Sequence, residues 1–438
     1  MPYVVPLQGK VGGKRTLVLL DDLEKAPIYS LFFDDLSARG HVLSYEQAES
    51  ANLQLKSFGE YLYDNIVFFA PAVDKLQSLT FEDVVSFSED GGNIMIAVSR
   101  DVSDSVRDMV EIFGISLDKK GTEVIDHFET VASMDASLQH THILARNAID
   151  SPTVLGAYAG TGSSQPVLYH GVGQFVADSD SILALPVLRG NPSTYSSTPN
   201  KAVGDSPESA GAETLLVTAV QGRNNARVVV SGSLDMFSNA YFRAQGGNQL
   251  FCSELSKWTF GETGVLRFRD ITHMRSDGVP PDVILHEKVR PDLPQSLYPD
   301  PELTRNSLVY RIKDEIVYSM VVEQFTGGAW EPFSADDMQM EFVMLDPYVR
   351  KTLTANKGIF SATFIAPDSY GIFKFRVMYR RPGFSVLHAE TQVSIRPFKH
   401  DEYERFIFSA YPYYSSALSA TIAIFVFSVF FLYSSDKK

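Results

Sequence analysis

Apolar residues in the first hundred positions fall into short continuous runs separated by amphipathic stretches. Thr16–Leu20 (TLVLL) is a run of the kind buried in a parallel sheet, and it stops at Asp21-Asp22. Ser30–Ala38 (SLFFDDLSA) spaces its apolar positions as a helix closed by Arg39-Gly40, and His41–Tyr45 reads as the next strand. Leu55–Tyr63 reads as a further helix, Asn65–Phe69 (NIVFF) as a strand ending at Ala70-Pro71, and Thr80–Glu89 as a helix N-capped by Thr80. Gly91-Gly92 then precedes a strand over Asn93–Val98. Strand and helix alternating at this spacing predict an α/β doubly wound sheet with right-handed crossovers.

Between Gly121 and Ala226 the pattern loosens into short β-like runs, and Asn191–Gly211, rich in Ser, Pro, Gly and Asn, is expected as a surface excursion. The α/β pattern returns with a strand at Ala226–Val230 (ARVVV), a turn at Ser231-Gly232-Ser233 and an amphipathic helix over Asn248–Phe260. A lead of residues 1–12 and an α/β domain over 13–268 follow from this reading. Pro280, Pro281, Pro291, Pro294, Pro299 and Pro301 then mark an extended connector, residues 269–305. Beyond it the period changes to strand-like segments at Leu308–Ile312, Ile316–Phe325, Met338–Leu345, Gly358–Phe364, Ile372–Tyr379 and Ala389–Ile395, each bounded by turn residues. Short strands without intervening helices predict an all-β immunoglobulin-like sandwich over 306–400.

Residues 401–438 close the chain, and within them Tyr411–Tyr433 carries no charged side chain. About 23 residues at helical rise cover roughly 34 Å, against a hydrocarbon core of roughly 30 Å. Tyr411, Tyr413, Tyr414 and Tyr433 stand where interfacial aromatic anchors do. A single C-terminal transmembrane helix is expected. Its first half is rich in small residues; Ser416 with Ala420 and Ser419 with Ala423 are pairs four apart and form the expected helix-packing face, leaving the Phe-rich half to lipid. Lys437 and Lys438 favour a cytosolic tail under the positive-inside tendency, and Met1–Thr16 contains no apolar core of signal-peptide length. Two topologies stay open: a type I protein with its bulk in the lumen, and a tail-anchored cytosolic scaffold.

The formal charge of −15 over 438 residues argues against nucleic acid and against an electrostatic hold on anionic lipid. One cysteine, Cys252, excludes an intrachain disulfide. It falls inside a helix and reads as a small buried hydrophobe.

Ligands of an open α/β sheet sit at the carboxyl ends of its strands, which directs attention to Asp21/Asp22, Ala70-Pro71, Ser99-Arg100-Asp101 and Ser231–Asn239. Ser231, Ser233 and Asp235 could there contact a sugar or phosphate, although turn and cap chemistry needs the same residues. No nucleophile elbow is present. His140-Thr-His142 has the spacing of two metal ligands on one strand face but brings no Cys and no third ligand, and is expected to be a surface pair. Gly171-Val-Gly173 lacks the third glycine of a dinucleotide fingerprint. No cofactor or metal is expected.

GKRTLVLLDD at Gly13–Asp22, VVVSGSLDMFSN at Val228–Asn239, KWTFGETGVLR at Lys257–Arg267, FSATFIAPDSYGIFKFRVMYRRPG at Phe360–Gly383 and RPFKHDEYERFIFSAYPYY at Arg396–Tyr414 together resemble one family. It is that of the 48 kDa subunit of the oligosaccharyltransferase, the dolichyl-diphosphooligosaccharide-protein glycosyltransferase complex of the endoplasmic reticulum. The resemblance implies a non-catalytic accessory subunit in N-linked glycosylation, with a lumenal glutamine-amidotransferase-like domain, a membrane-proximal β-domain and one span. It also implies as partners the other subunits, including the catalytic one, and membrane lipid. No catalytic residue carries over, since the amidotransferase cysteine nucleophile has no counterpart. The rival class is a membrane-tethered α/β hydrolase or amidotransferase using the Ser231–Asn239 loop.

Overall fold

The first strand, Arg15–Leu20, pairs in parallel with Val42–Gln47 on one side and Asn65–Phe69 on the other. Asn93–Ala97 and Arg227–Ser231 extend the parallel run, and Leu215–Gln221, Ala184–Arg189 and Asn147–Ala148 continue it as an antiparallel edge. This computed structural model describes residues 11–51, 53–131, 133–135, 139–160, 164–176, 183–199, 207, 209–244, 246–285, 306–403 and 405–434. Most of the N-terminal lead, Pro291, Pro294, Pro299, Pro301, part of Asn191–Gly211 and the terminal lysines lie outside the described residues.

Strand side chains alternate between the two faces of the sheet, and both faces are covered. Val18, Leu20, Val67, Phe69 and Met95 meet Phe32, Phe33 and Leu36 of helix Ser30–Ala38 and Phe251, Leu255 and Trp258 of helix Asn248–Thr259. Leu17, Leu19, Ile66, Phe68 and Ile94 meet Val84 and Phe87 of helix Phe81–Glu89 and Val106, Met109 and Val110 of helix Asp104–Ile112. The helix Phe81–Glu89 starts as its sequence dictates: the Thr80 hydroxyl accepts from the Asp83 N–H while the Asp83 carboxylate accepts from the Thr80 N–H.

Three expectations fail locally. Leu55–Tyr63 is a hairpin of Lys56–Ser57 and Glu60–Tyr61, because Phe58 and Gly59 take φ of 51° and 87° and close a two-residue turn that no helix can pass through. In Asn191–Gly211 the described residues Asn191, Thr194, Ser196 and Ser209 are buried; Tyr195–Ser197 pairs with Glu123–Ile125, and the Asn191 amide donates to Asp126 at 3.1 Å. Asn191 and Thr194 put their polar groups into internal hydrogen bonds. The connector, finally, contributes to sheets: its start continues the strand Val265–Arg275, and Asp282–Leu285 forms another.

The chain divides into two compact units. The first, Met1–His273, Val317–Thr363 and Lys374–Thr391, holds the α/β layers and two facing β-sheets whose rings meet where Phe375 stacks with Tyr318 at 5.1 Å and lies 4.9 Å from Phe342. Within this unit the Trp258 indole N–H donates to the Gly383 carbonyl at 2.8 Å, Gln221 to Phe384 at 2.8 Å, and the Val386 N–H to Asn225 at 2.6 Å. The turn Arg381–Val386 is thereby pinned to strand Leu215–Gln221 and helix Asn248–Thr259.

The second unit comprises Met274–Ile316, Phe364–Phe373 and Gln392–Lys438. Here Asp282–Leu285 pairs antiparallel with Asn306–Arg311, which pairs in parallel with the end of Leu387–Arg396. The unit ends in the helix Tyr411–Tyr433, whose 23 residues are all exposed and long and apolar enough to cross a membrane.

Candidate functional site

The carboxyl ends of the parallel strands gather the sequence-derived candidates, but only one of the three named in the Ser231–Asn239 loop offers its side chain. Ser231 and Ser233 are fully buried. The Ser231 hydroxyl donates to the Ser233 carbonyl at 2.9 Å and accepts the Ser233 N–H, while the Ser233 hydroxyl accepts the Met236 N–H at 3.3 Å. Both hydroxyls are spent on the turn. Asp235, at the start of the short turn Asp235–Phe237, is half-exposed and bonds His170 Nδ1 at 2.7 Å.

His170 follows the strand Val167–Tyr169, which pairs antiparallel with Ile143–Ala145 so that Tyr169 faces Ile143. One step further along that register lies His142, and the two imidazoles stack with centroids 4.3 Å apart and planes at 13°. On its other nitrogen, Nε2, His170 is 3.8 Å from the buried Glu123, to which Arg100 reaches at 3.5 Å. Tyr241 stands 6.3 Å from His142.

The charges follow from these neighbours. Burial alone would lower the His170 imidazole, yet the hydrogen bond and charge of Asp235, with Glu123 and Asp135, outweigh it and raise its pKa. Burial and then the charge of His170 lower His142, so the two stacked imidazoles are shifted in opposite directions. Burial raises Tyr29 and Tyr241, and the Asp235 carboxylate adds to both; Asp21 is likewise raised by burial. Among the described residues, Asp21 Oδ1 and the Tyr241 hydroxyl have no hydrogen-bond partner. The cluster offers an imidazole whose pKa is raised and an accessible carboxylate, a pair able to bind a polar ligand.

The remaining candidates separate. His140 turns to His127, ring centroids 4.7 Å apart, and His127 bonds the Tyr195 hydroxyl at 2.9 Å. Neither histidine of the His140-Thr-His142 pair is the exposed surface residue expected, because each is packed against a second imidazole. No group of three His, Cys, Asp or Glu able to hold a metal occurs among the described residues. Gly171 and Gly173 serve close backbone approach: a Cβ would lie 2.1 Å from the Gly232 carbonyl oxygen and 2.2 Å from Asp118 Oδ2, respectively. Cys252 is fully buried within its helix, its thiol pushed well up by burial. His170, Glu123 and Tyr241 escaped the sequence reading, since they come from separate elements, the end of strand Val167–Tyr169, strand Glu123–Ile125 and helix Asn239–Arg243, that only the fold brings together.

Residues 8–262 match the family model described as OST48, N-terminal domain, and residues 299–435 match the OST48 middle domain. The chain belongs to the OST48 family. Three curated relatives carry the name Dolichyl-diphosphooligosaccharide--protein glycosyltransferase 48 kDa subunit. That of Danio rerio is 39% identical, covering 99% of this chain and 94% of the relative. The Drosophila melanogaster protein is 39% identical over 97% of this chain and 92% of its own length, and that of Arabidopsis thaliana 36% over 96% and 93%. In this OST48-family chain the first match spans the histidine cluster, and the second spans the later β-strands and the apolar helix.

Proposed function

We infer that this chain is a non-catalytic accessory subunit of the oligosaccharyltransferase complex, which transfers a lipid-linked oligosaccharide to asparagine. The identity of 36–39% over nearly the whole length of named 48 kDa subunits carries this reading. The active site lies on another subunit; in support, the loop serines are consumed by their own turn and the one thiol is buried and held neutral. The chain contributes assembly and stability. Parallel strands covered on both faces favour a glutamine-amidotransferase-like domain, and facing β-sheets an immunoglobulin-like one, in domains bounded as the sequence suggests. The protein sits in the endoplasmic reticulum membrane with its bulk lumenal and its C-terminus cytosolic. Its partners are the catalytic and other subunits, met by the helix face of Ser416, Ser419, Ala420 and Ala423, and membrane lipid. Asp235 and His170 are the groups best placed to touch glycan. The decisive experiment purifies the complex in mild detergent from cells carrying Cys252→Ser. Co-purification of the other subunits with transfer activity within error of wild type is expected. Loss of transfer by an intact complex would assign chemistry to this chain, and absence of co-purifying subunits from wild type would remove the reading altogether.

A further inference from the structure

The second unit brings several turns to one end of its strands. Ile312 N–H bonds the Arg396 carbonyl at 3.0 Å, Lys313 N–H the Ala366 carbonyl at 3.2 Å, Ala366 N–H the Asp314 carbonyl at 2.8 Å, and Ser276 N–H the Glu315 carbonyl at 2.9 Å. The turns around 277–280, 312–314 and 366–370 therefore share the end from which the last strand, Leu387–Arg396, runs on toward the apolar helix. A clasp holds the chain there. Arg396 makes two bonds to Glu402, at 2.6 and 2.8 Å, and the Lys399 N–H makes a third at 2.8 Å. Arg396 above all, with that N–H, holds the Glu402 carboxyl to about 2.

Tether length now limits where this end can be. Phe406, Ile407, Phe408, Tyr411 and Tyr413 are exposed aromatic and apolar residues of the kind that settles at the headgroup level. Phe406 lies four residues beyond Glu402, a reach of at most about 14 Å. With Phe406 at the headgroup level, the clasped end of the unit lies within that distance of the bilayer surface. At that end Tyr370 is 72% exposed, Ile372 58% and Val279 47%, while two of the nearby cations are paired, Lys313 with Asp368 at 3.3 Å and Arg275 with Asp277 at 2.8 Å. The apolar side chains are unsheltered and these two charges are neutralised.

We propose that this end of the β-rich unit rests on the lipid interface, with Tyr370 and Val279 entering the headgroup layer as a contact separate from the spanning helix. The occupant is a zwitterionic phospholipid surface, because the end offers aromatic and aliphatic groups and no surplus of positive charge. The contact rests on the reading that Tyr411–Tyr433 spans the membrane. It would fix the height of this end above the bilayer by a contact additional to the spanning helix.

The test uses the intact complex reconstituted in phosphatidylcholine bilayers, with the photo-crosslinking residue p-benzoylphenylalanine placed at Tyr370, at Val279 and, for comparison, at Lys357. Lys357 precedes the far end of the seven-residue strand Ile359–Ile365, about 20 Å from the interface end. Phospholipid adducts at 370 and 279 are expected several-fold above those at 357, without protein adducts. Crosslinks from 370 and 279 to another subunit would show that a polypeptide covers this end, and adducts no higher than at 357 would show that it faces water; either overturns the contact. Alkaline carbonate extraction of the same membranes reads the span separately. Release of the chain would remove the spanning helix and the contact together, whereas retention without lipid adducts removes the contact alone.

Discussion

Glu262 gathers three cationic or imidazole partners onto one oxygen: His41 Nε2 at 2.6 Å, Lys14 Nζ at 2.9 Å and Arg39 Nη1 at 3.1 Å, all on Oε1. Burial alone would raise its carboxyl; His41, Arg39 and Lys14 outweigh that and bring it down to about 2. An unfolded glutamate titrates near about 4.3, so the folded pKa is the depressed one, and the cluster's stabilisation is complete above that value and lost as pH falls from about 4 toward 2. Glu262→Gln is therefore expected to cost roughly 1–3 kcal/mol at pH 7 and to flatten the acid limb of stability. Thermal midpoints measured from pH 5 to pH 3 should fall less steeply in the variant, and equal slopes would show that Glu262 is not the group responsible. None of these partners is a sequence neighbour of Glu262, which is why the cluster could not be read before the fold. The same holds for His170, whereas the burial of Cys252 followed from its position inside a helix.

Among elements, those defined by local chemistry were legible. Ser30–Ala38 and Tyr411–Tyr433 have the bounds expected of them, because a run of apolar residues with clear stops decides each. Helix Asp104–Ile112 went unread although Val106, Met109 and Val110 stand at the i, i+3, i+4 spacing of an apolar face opposite Asp104, Arg107, Asp108 and Glu111. Strand Pro347–Thr352 was hidden because nearly all of its length is exposed and carries no alternation to detect. The apolar helix adds a detail that composition did not give. Ser415, Ser416, Ser419, Thr421 and Ser428 each donate to a carbonyl of the preceding turn at 2.8–2.9 Å. Their donors are satisfied within the helix, so association through this half depends on the close approach that small side chains permit. The double variant Ala420→Leu with Ala423→Leu keeps the helix apolar but fills that surface, and should reduce co-purification of neighbouring subunits several-fold. Unchanged co-purification, combined with loss on Phe427→Ala and Phe430→Ala, would place the contact on the other half.

For the molecule as a whole, an apolar helix at the end of the second unit makes orientation the first property to test. Sealed microsomes treated with protease should leave the bulk of the chain intact until detergent is added, as a lumenal bulk requires; digestion without detergent would reverse the assignment. A different consequence comes from the turn Arg381–Val386 lodged against strand Leu215–Gln221 and helix Asn248–Thr259. The Trp258 indole waits for a carbonyl 125 positions later, and Gln221 and Asn225 for partners 163 and 161 positions later. At roughly 5–20 residues per second, synthesis of that first interval alone takes about 6–25 s. Throughout it the sheet and its helices stand with an open slot that only a distant turn can fill, which gives chaperones a defined window of action. A chain cut before Gly383 ends as an unfinished surface, not as a shorter independent protein.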